Sequence, residues 1–103
     1  MYLTMNRFKV KLGQEEAFET VWRTRNSKLA EVPGFVEFHL MKGPEKEDHR
    51  LYASHTMWES EAAFRDWTSS EAFRAAHAGA RSSGDIYLGP PELELFDSIQ
   101  SIA

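Results

Sequence analysis

The stretch that decides the fold is residues 35–58, FVEFHLMKGPEKEDHRLYASHTMW. In its first part, residues 35–42, Val36, Phe38 and Leu40 share one side of an alternating pattern, and residues 50–58 alternate in the same way. A period of two is typical of β-strands. The charged segment between them, residues 43–48, begins with Gly and Pro and is typical of a turn. The two strands therefore pair most simply as an antiparallel hairpin.

Two further strands lie at the ends of the chain. Residues 2–11 alternate and end before Gly13, and residues 92–96, ELELF, alternate after a loop that is rich in Gly and Pro. In the first of these strands Asn6 points to the same side as Phe8 and Val10. One polar amide is thus predicted on an otherwise apolar strand face.

Helical spacing fills the gaps between the strands. Residues 14 to about 29 carry an apolar stripe at a period of 3.6, and Val-Pro-Gly at 32–34 breaks it. Ser60 is placed to cap a second helix, and residues 68–71, TSSE, fit a capping box that restarts a helix through residue 80. On one unbroken helix, Trp67 and His77 lie about 80° apart. The restart therefore allows their side chains to converge on one cavity.

The order strand, helix, strand, strand, helix pair, strand predicts an α+β fold. It is the ferredoxin-like split β-α-β plan, a single domain over residues 1–103 with an antiparallel sheet covered by helices on one face. Whichever way the third strand is turned, Tyr52 or Leu51 falls on the uncovered face. A second copy is the expected cover, which predicts a homodimer built as a dimeric α+β barrel.

Composition limits the classes of function. The 103 residues match one domain, and 42% of them are hydrophobic, which is enough for a core. A net charge of −4 lacks the basic surface that nucleic-acid binding needs. The absence of cysteine excludes thiolate ligation of a metal. No apolar run approaches the ~20 residues of a membrane helix, so we expect a cytoplasmic protein with no nucleic-acid or membrane partner.

Four side chains are candidates for chemistry. His77 lies among small residues, with Phe73 one turn earlier as an apolar wall; a planar ligand fits beside it, although an ordinary core or surface histidine has the same spacing. Asn6 needs hydrogen-bond partners on a buried face, unless it lies at a wet edge. Trp67 extends an apolar helix stripe and is equally consistent with the core. Arg25 is either a solvated helix end or a clamp for a carboxylate.

Taken together, Asn6, Trp67 and His77 resemble the hallmark of the Isd-type haem-degrading monooxygenases of the antibiotic biosynthesis monooxygenase (ABM) superfamily. The resemblance runs through MNR at 5–7, VPGF at 32–35, MWESEAAFRDW at 57–67 and FRAAH at 73–77. Superfamily members with other substrates share the first half of the Trp-Glu-Ser segment. The joint Asn, Trp and His pattern is therefore the sharper signal.

The resemblance implies a role for each residue. His77 would be the axial ligand of the haem iron, Asn6 would form a hydrogen bond near the oxygen site, and Trp67 would press on the porphyrin. Arg25 matches a position that contacts a haem propionate. The remaining haem-binding positions are Trp22, Phe64 and Phe73.

The implied function is oxidative opening of the porphyrin ring in iron acquisition. Haem is both substrate and cofactor, dioxygen is the oxidant, and iron and a linear tetrapyrrole are released. The chain has no dinucleotide-binding motif, so we expect a separate reductase or ferredoxin as the external electron donor. Two alternatives stay open: a cofactor-independent ABM-type monooxygenase of a polycyclic phenol or anthrone, and a haem-binding protein that does not turn its ligand over.

Overall fold

The structure places four strands in one antiparallel sheet. The computed structural model describes residues 1–25, 28–71, 73–74 and 85–102. The sheet order is β2-β3-β1-β4, and every neighbouring pair is antiparallel. This order confirms the α+β ferredoxin-like fold predicted from the sequence. The elements are β1 (Tyr2–Lys11), α1 (Glu15–Thr24), a 3-10 turn (Leu29–Glu31), β2 (Phe35–Glu45), β3 (His49–Trp58), α2 (Glu61–Thr68) and β4 (Glu92–Asp97).

The core lies between the sheet and the two helices. Even-numbered residues of β1 and β3 face the helices, as the predicted alternation requires. Phe8 pairs with Tyr52, and both rings pack on Phe18 of α1, with centroids 5.4 and 4.5 Å away. At the other end of the sheet, Trp58 packs against Phe64 of α2 at 5.9 Å. The helices are therefore anchored at opposite ends of the same strand pair.

The other face of the sheet is not covered by any described part of the chain. The sequence left open whether Leu51 or Tyr52 points to this face. Because Tyr52 lies under α1, it is Leu51 that does so. We call it the open face. Its apolar and histidine side chains are Leu3, Met5, His39, Met41, Leu51, Ala53, His55, Met57 and Phe96.

Helix α1 is shorter than predicted, because it ends at Thr24 and not near residue 29. The Thr24 hydroxyl donates to two carbonyls of the last turn, at 2.9 and 3.3 Å, a local bond that competes with continuation of the helix. Arg25 follows with an extended backbone (φ −70°, ψ 127°). Among the described residues, no helix is long and apolar enough to cross a membrane.

Strand β2 is longer than predicted and continues to Glu45, into the segment at residues 43–48 that the composition predicts to be a turn. A register shift between Lys42 and Glu45 accommodates Pro44, which lacks an N–H and is tolerated on an edge strand. Gly43 suits this site, because a Cβ there would lie 2.9 Å from the carbonyl oxygen of Leu51. The turn therefore starts later than its composition indicated.

A second irregularity corrects the facing of Phe35. The alternation predicted that Phe35 and Phe38 point to opposite sides. A register shift between Phe35 and Glu37 places both on the helix side, because Phe35 pairs with Trp58 and Phe38 with Thr56, which are both buried. One bulge thus adds an aromatic ring to the region beneath the helices.

The entry into β2 depends on a close approach between the chain and α2. Gly34 has a φ of +83°, and a Cβ at this position would collide with the Cβ of Ala63. Ser60 caps α2 as predicted, since its hydroxyl accepts from the Ala63 N–H at 3.2 Å.

The predicted restart after α2 begins as expected, but its cap is a different residue, and its continuation through residues 75–80 lies outside the described residues. The helix ends at Thr68, and Glu71 is again helical. The Phe73 N–H donates to the Ser70 hydroxyl at 3.1 Å, which makes Ser70 the cap. The Thr68 hydroxyl, the predicted cap, instead donates to the carbonyl of Arg65.

Candidate active site

A cavity of about 520 Å³ lies between the sheet and the helices. Its volume falls within the range of roughly 300–1,000 Å³ that is usual for small-molecule sites. Six of the seven residues that the sequence singled out line it, and the seventh, His77, lies outside the described residues. The six are Asn6, Trp22, Arg25, Phe64, Trp67 and Phe73. Residues far apart in the sequence therefore converge on one space.

Asn6 lies on the floor of the cavity. It belongs to β1, which is an inner strand between β3 and β4, so the alternative of a wet sheet edge is wrong. Its backbone N–H donates to the hydroxyl of Ser54, directly opposite, at 3.3 Å. The side-chain amide forms no hydrogen bond with any described residue. It is therefore available to a bound molecule.

Trp67 belongs to both the core and the cavity wall. Its ring lies 5.4 Å from that of Trp58 and meets the ring of Phe73 edge-on at 4.8 Å. Phe64, one turn earlier on α2, is buried and packs on Tyr2. The indole is thus held between two aromatic neighbours while it lines the site, which is a rigid way to present a flat apolar surface.

A second aromatic wall comes from α1 and β2. Trp22 stacks on Phe38, with ring centroids 5.8 Å apart and planes 17° apart. The indole N–H of Trp22 is buried and has no hydrogen-bond partner among the described residues. Burying such a donor costs free energy unless a bond is made. This unsatisfied donor belongs to a side chain of the cavity wall.

Arg25 supplies the positive charge of the site. Its guanidinium lies 4.2 Å from the centre of the Trp22 ring, a cation–π contact. Burial lowers the pKa of Arg25, and the nearby Tyr87 opposes that shift. No carboxylate of the described residues forms an ion pair with Arg25. A half-buried cation in this state favours an anionic ligand group, because a carboxylate would offset its lost hydration.

The sequence analysis missed a set of hydroxyl groups beside Asn6. Thr4, Ser54 and Thr56 are buried and line the same cavity. In the sheet Asn6 is opposite Ser54 and Thr4 is opposite Thr56, so the four side chains form one polar patch, which we call the polar floor. The signal was present in residues 52–58, where Ser and Thr occupy the inward positions between Tyr and Trp.

A charged network outside the cavity fixes the position of α1. The Tyr52 hydroxyl donates to a Glu19 carboxylate oxygen at 2.5 Å, and Lys42 lies 3.2 Å from the same oxygen. These bonds lower the pKa of Glu19, while burial and the adjacent carboxylate raise the pKa of Tyr52. Because Glu19 and Trp22 are three residues apart on one helix, the network also holds the Trp22 wall in place.

Residues 1–79 match the family described as antibiotic biosynthesis monooxygenase. The chain belongs to this family. A haem-degrading monooxygenase of Shouchella clausii is 35% identical over 99 residues, which cover 94% of this chain and 89% of that protein. The ABM resemblance found in the sequence is thereby confirmed.

Solved structures that resemble this chain include both a haem degrader and a cofactor-independent oxygenase. The haem degrader MhuD of Mycobacterium tuberculosis, with two haems bound in its active site, is 29% identical, and the two chains cover each other fully with a TM-score of 0.76. SnoaB of Streptomyces nogalater, a cofactor-independent oxygenase, is 26% identical with a TM-score of 0.71, over 98% of this chain and 95% of that one. The fold therefore accommodates both kinds of oxygenase.

The polar floor has one member that serves stability. The Trp58 indole N–H donates to the Thr4 hydroxyl at 3.1 Å in the interior. We expect Thr4→Val to lower the free energy of unfolding by about 1–3 kcal/mol, because the buried N–H would lose its acceptor. Urea denaturation measures this loss. Thr68→Val is the control, since its hydroxyl bonds only within its own helix; an equal loss in both variants would contradict the assignment.

Proposed function

We propose that this protein is a haem-degrading monooxygenase. It binds haem in the cavity, opens the porphyrin ring with dioxygen and externally supplied electrons, and releases iron and a linear tetrapyrrole. The observation that carries the proposal is the convergence of the six predicted residues on one cavity. The names of the Shouchella relative and of MhuD support the same substrate.

The residues of the cavity suit the chemistry of haem. A porphyrin is flat and apolar with acidic propionates on one edge. The cavity offers aromatic walls at Trp22 and Trp67 together with the cation of Arg25, which forms no ion pair with a described carboxylate. Haem contributes the iron that activates dioxygen. His77, ten residues beyond Trp67 in the sequence, is proposed as the residue that would hold that iron through its imidazole.

The proposed reaction uses this chain for positioning and electrostatics. The side-chain amide of Asn6, which has no hydrogen-bond partner among the described residues, would donate a hydrogen bond to dioxygen as negative charge develops on it, an effect that is strong in a site poor in water. The indole of Trp67, held by Trp58 and Phe73, would contact the face of the porphyrin and so would help to position the ring for reaction. Arg25 holds a propionate and so fixes the rotation of the ring.

The decisive experiment titrates the purified protein with haemin and then adds ascorbate in air. We expect a shifted Soret band that bleaches as iron and a tetrapyrrole appear, and we expect His77→Ala to lose the band. Mass spectrometry of the product identifies the ring opening. A Soret band that persists for hours would indicate a haem-binding protein without turnover.

SnoaB supports one other candidate, a cofactor-independent oxygenase of a polycyclic phenol or anthrone. Asn6 and Trp67 beside an apolar cavity could serve that reaction without iron. The absence of a Soret shift, combined with oxygenation of an anthrone that His77→Ala leaves intact, would favour this candidate over haem degradation.

Substitutions in the cavity should separate binding from reaction. We expect Asn6→Ala to bind haemin normally and to degrade it about 100-fold more slowly, because one donor to a developing charge is lost. Trp67→Ala should also retain haemin and react slowly, since the pressure on the ring is removed.

Arg25→Ala should instead weaken affinity about tenfold and leave the rate of the bound complex close to that of the parent. Equal effects of all three on affinity would contradict these roles.

We further propose that two copies pack their open faces together. The face carries an apolar strip together with both signs of charge, including Arg7, Lys9, Glu37 and Glu94, as an isologous interface requires. Met41 and Phe96 on this face are 53% and 46% exposed in the single chain, an exposure that a second copy would remove. Electrons are proposed to arrive from a separate reductase or ferredoxin.

Light scattering tests the homodimer. We expect the parent to have twice the mass of one chain at micromolar concentration and Ala53→Arg to be monomeric, because Ala53 lies on β3 in the middle of the open face. Thr20→Arg, which places the same side chain on the exposed surface of α1, should remain dimeric. A monomeric parent would refute the interface.

A further inference from the structure

One hydroxyl of the polar floor has no hydrogen-bond partner among the described residues. The Thr4 hydroxyl accepts from Trp58, and the Ser54 hydroxyl accepts from the Asn6 backbone. Thr56 is 8% exposed, lines the cavity and forms no hydrogen bond with any described residue. Its hydroxyl oxygen is not among the fully buried polar atoms, so it opens onto the cavity without a partner among the described residues.

The described residues give the Thr56 hydroxyl no role in the fold. A hydroxyl that faces a cavity without a protein partner can form a hydrogen bond with water or with a bound molecule. Valine has nearly the same shape and is among the residues most favoured in strands. Position 56 lies in an inner strand between Phe38 of β2 and Thr4 of β1, where an apolar side chain would pack well. The hydroxyl is therefore better explained by a bound molecule than by folding.

The register places Thr56 next to the group that is proposed to meet oxygen. Asn6 is opposite Ser54, and Thr56 is two residues further along the same strand on the same face. Diagonal neighbours in a sheet have Cβ atoms within about 7–8 Å. Both side chains are therefore within reach of one diatomic molecule that lies over the floor.

We propose that Thr56 is a second hydrogen-bond donor to the reacting oxygen, beside Asn6. This inference rests on the proposed function. Ser54 is a positioning residue, because its bond to the Asn6 backbone keeps the amide in place. The two donors approach the oxygen from neighbouring strands, β1 and β3, so the direction of approach is fixed by the sheet and not by a loop.

The test compares the haem complexes of the parent, Thr56→Val and Thr56→Ser. Carbon monoxide bound to the reduced complex is the probe, since its C–O stretching frequency rises when a nearby hydrogen-bond donor is lost. We expect Thr56→Val to bind haemin like the parent, to raise this frequency and to degrade haem about tenfold more slowly. Thr56→Ser should restore both values. Thr20→Val, on the exposed surface of α1, should match the parent.

The outcomes separate this proposal from the function on which it rests. A parent without a Soret band overturns the proposed function and Thr56 with it. A Thr56→Val complex that binds haem and keeps the parental frequency and rate overturns only the role of Thr56. A lower melting temperature of ligand-free Thr56→Val also overturns it, because the hydroxyl would then serve the fold.

Discussion

The antiparallel register between β1 and β3 is the constraint on which the rest of the structure depends. It sets Tyr2 opposite Trp58 and Lys11 opposite His49, and so turns every even-numbered side chain of both strands toward the helices. A shift of one residue would move Asn6 to the open face and expose the aromatic core. Fold and site are therefore specified by the same pairing, because the inward positions that are not filled by large apolar groups form the floor of the cavity.

The site combines surfaces of different character within one space. Aromatic rings form much of the wall, the floor is polar, and Arg25 adds a cation whose charge no described carboxylate balances. Such a division orients a ligand as well as binding it, since a molecule with a flat apolar body and an acidic edge fits in few ways. Because the chain carries a net charge of −4, the cation of Arg25 is a local exception to its overall charge.

Much of this arrangement could be predicted because it depends on local periodicity. The alternation of residues 2–11 placed Asn6 correctly, and the Ser60 cap located α2 and its Trp67. The errors arose where a single local hydrogen bond or a bulge decides the structure, because neither changes the periodicity of the sequence. The end of α1 depends on the Thr24 hydroxyl, the facing of Phe35 on a bulge that no alternation can show, and the restart after α2 on Ser70 instead of Thr68. The polar floor was missed because Ser and Thr are also ordinary strand residues.

The contact between Gly34 and α2 has a consequence for engineering. The chain passes so close to Ala63 that only a hydrogen atom fits between them. A larger side chain at position 34 would collide with Ala63 and push α2, together with Trp67, away from the sheet. Position 34 therefore limits the depth of the cavity although Gly34 does not line it. Substitution at this position is a way to enlarge the cavity for a bulkier ligand.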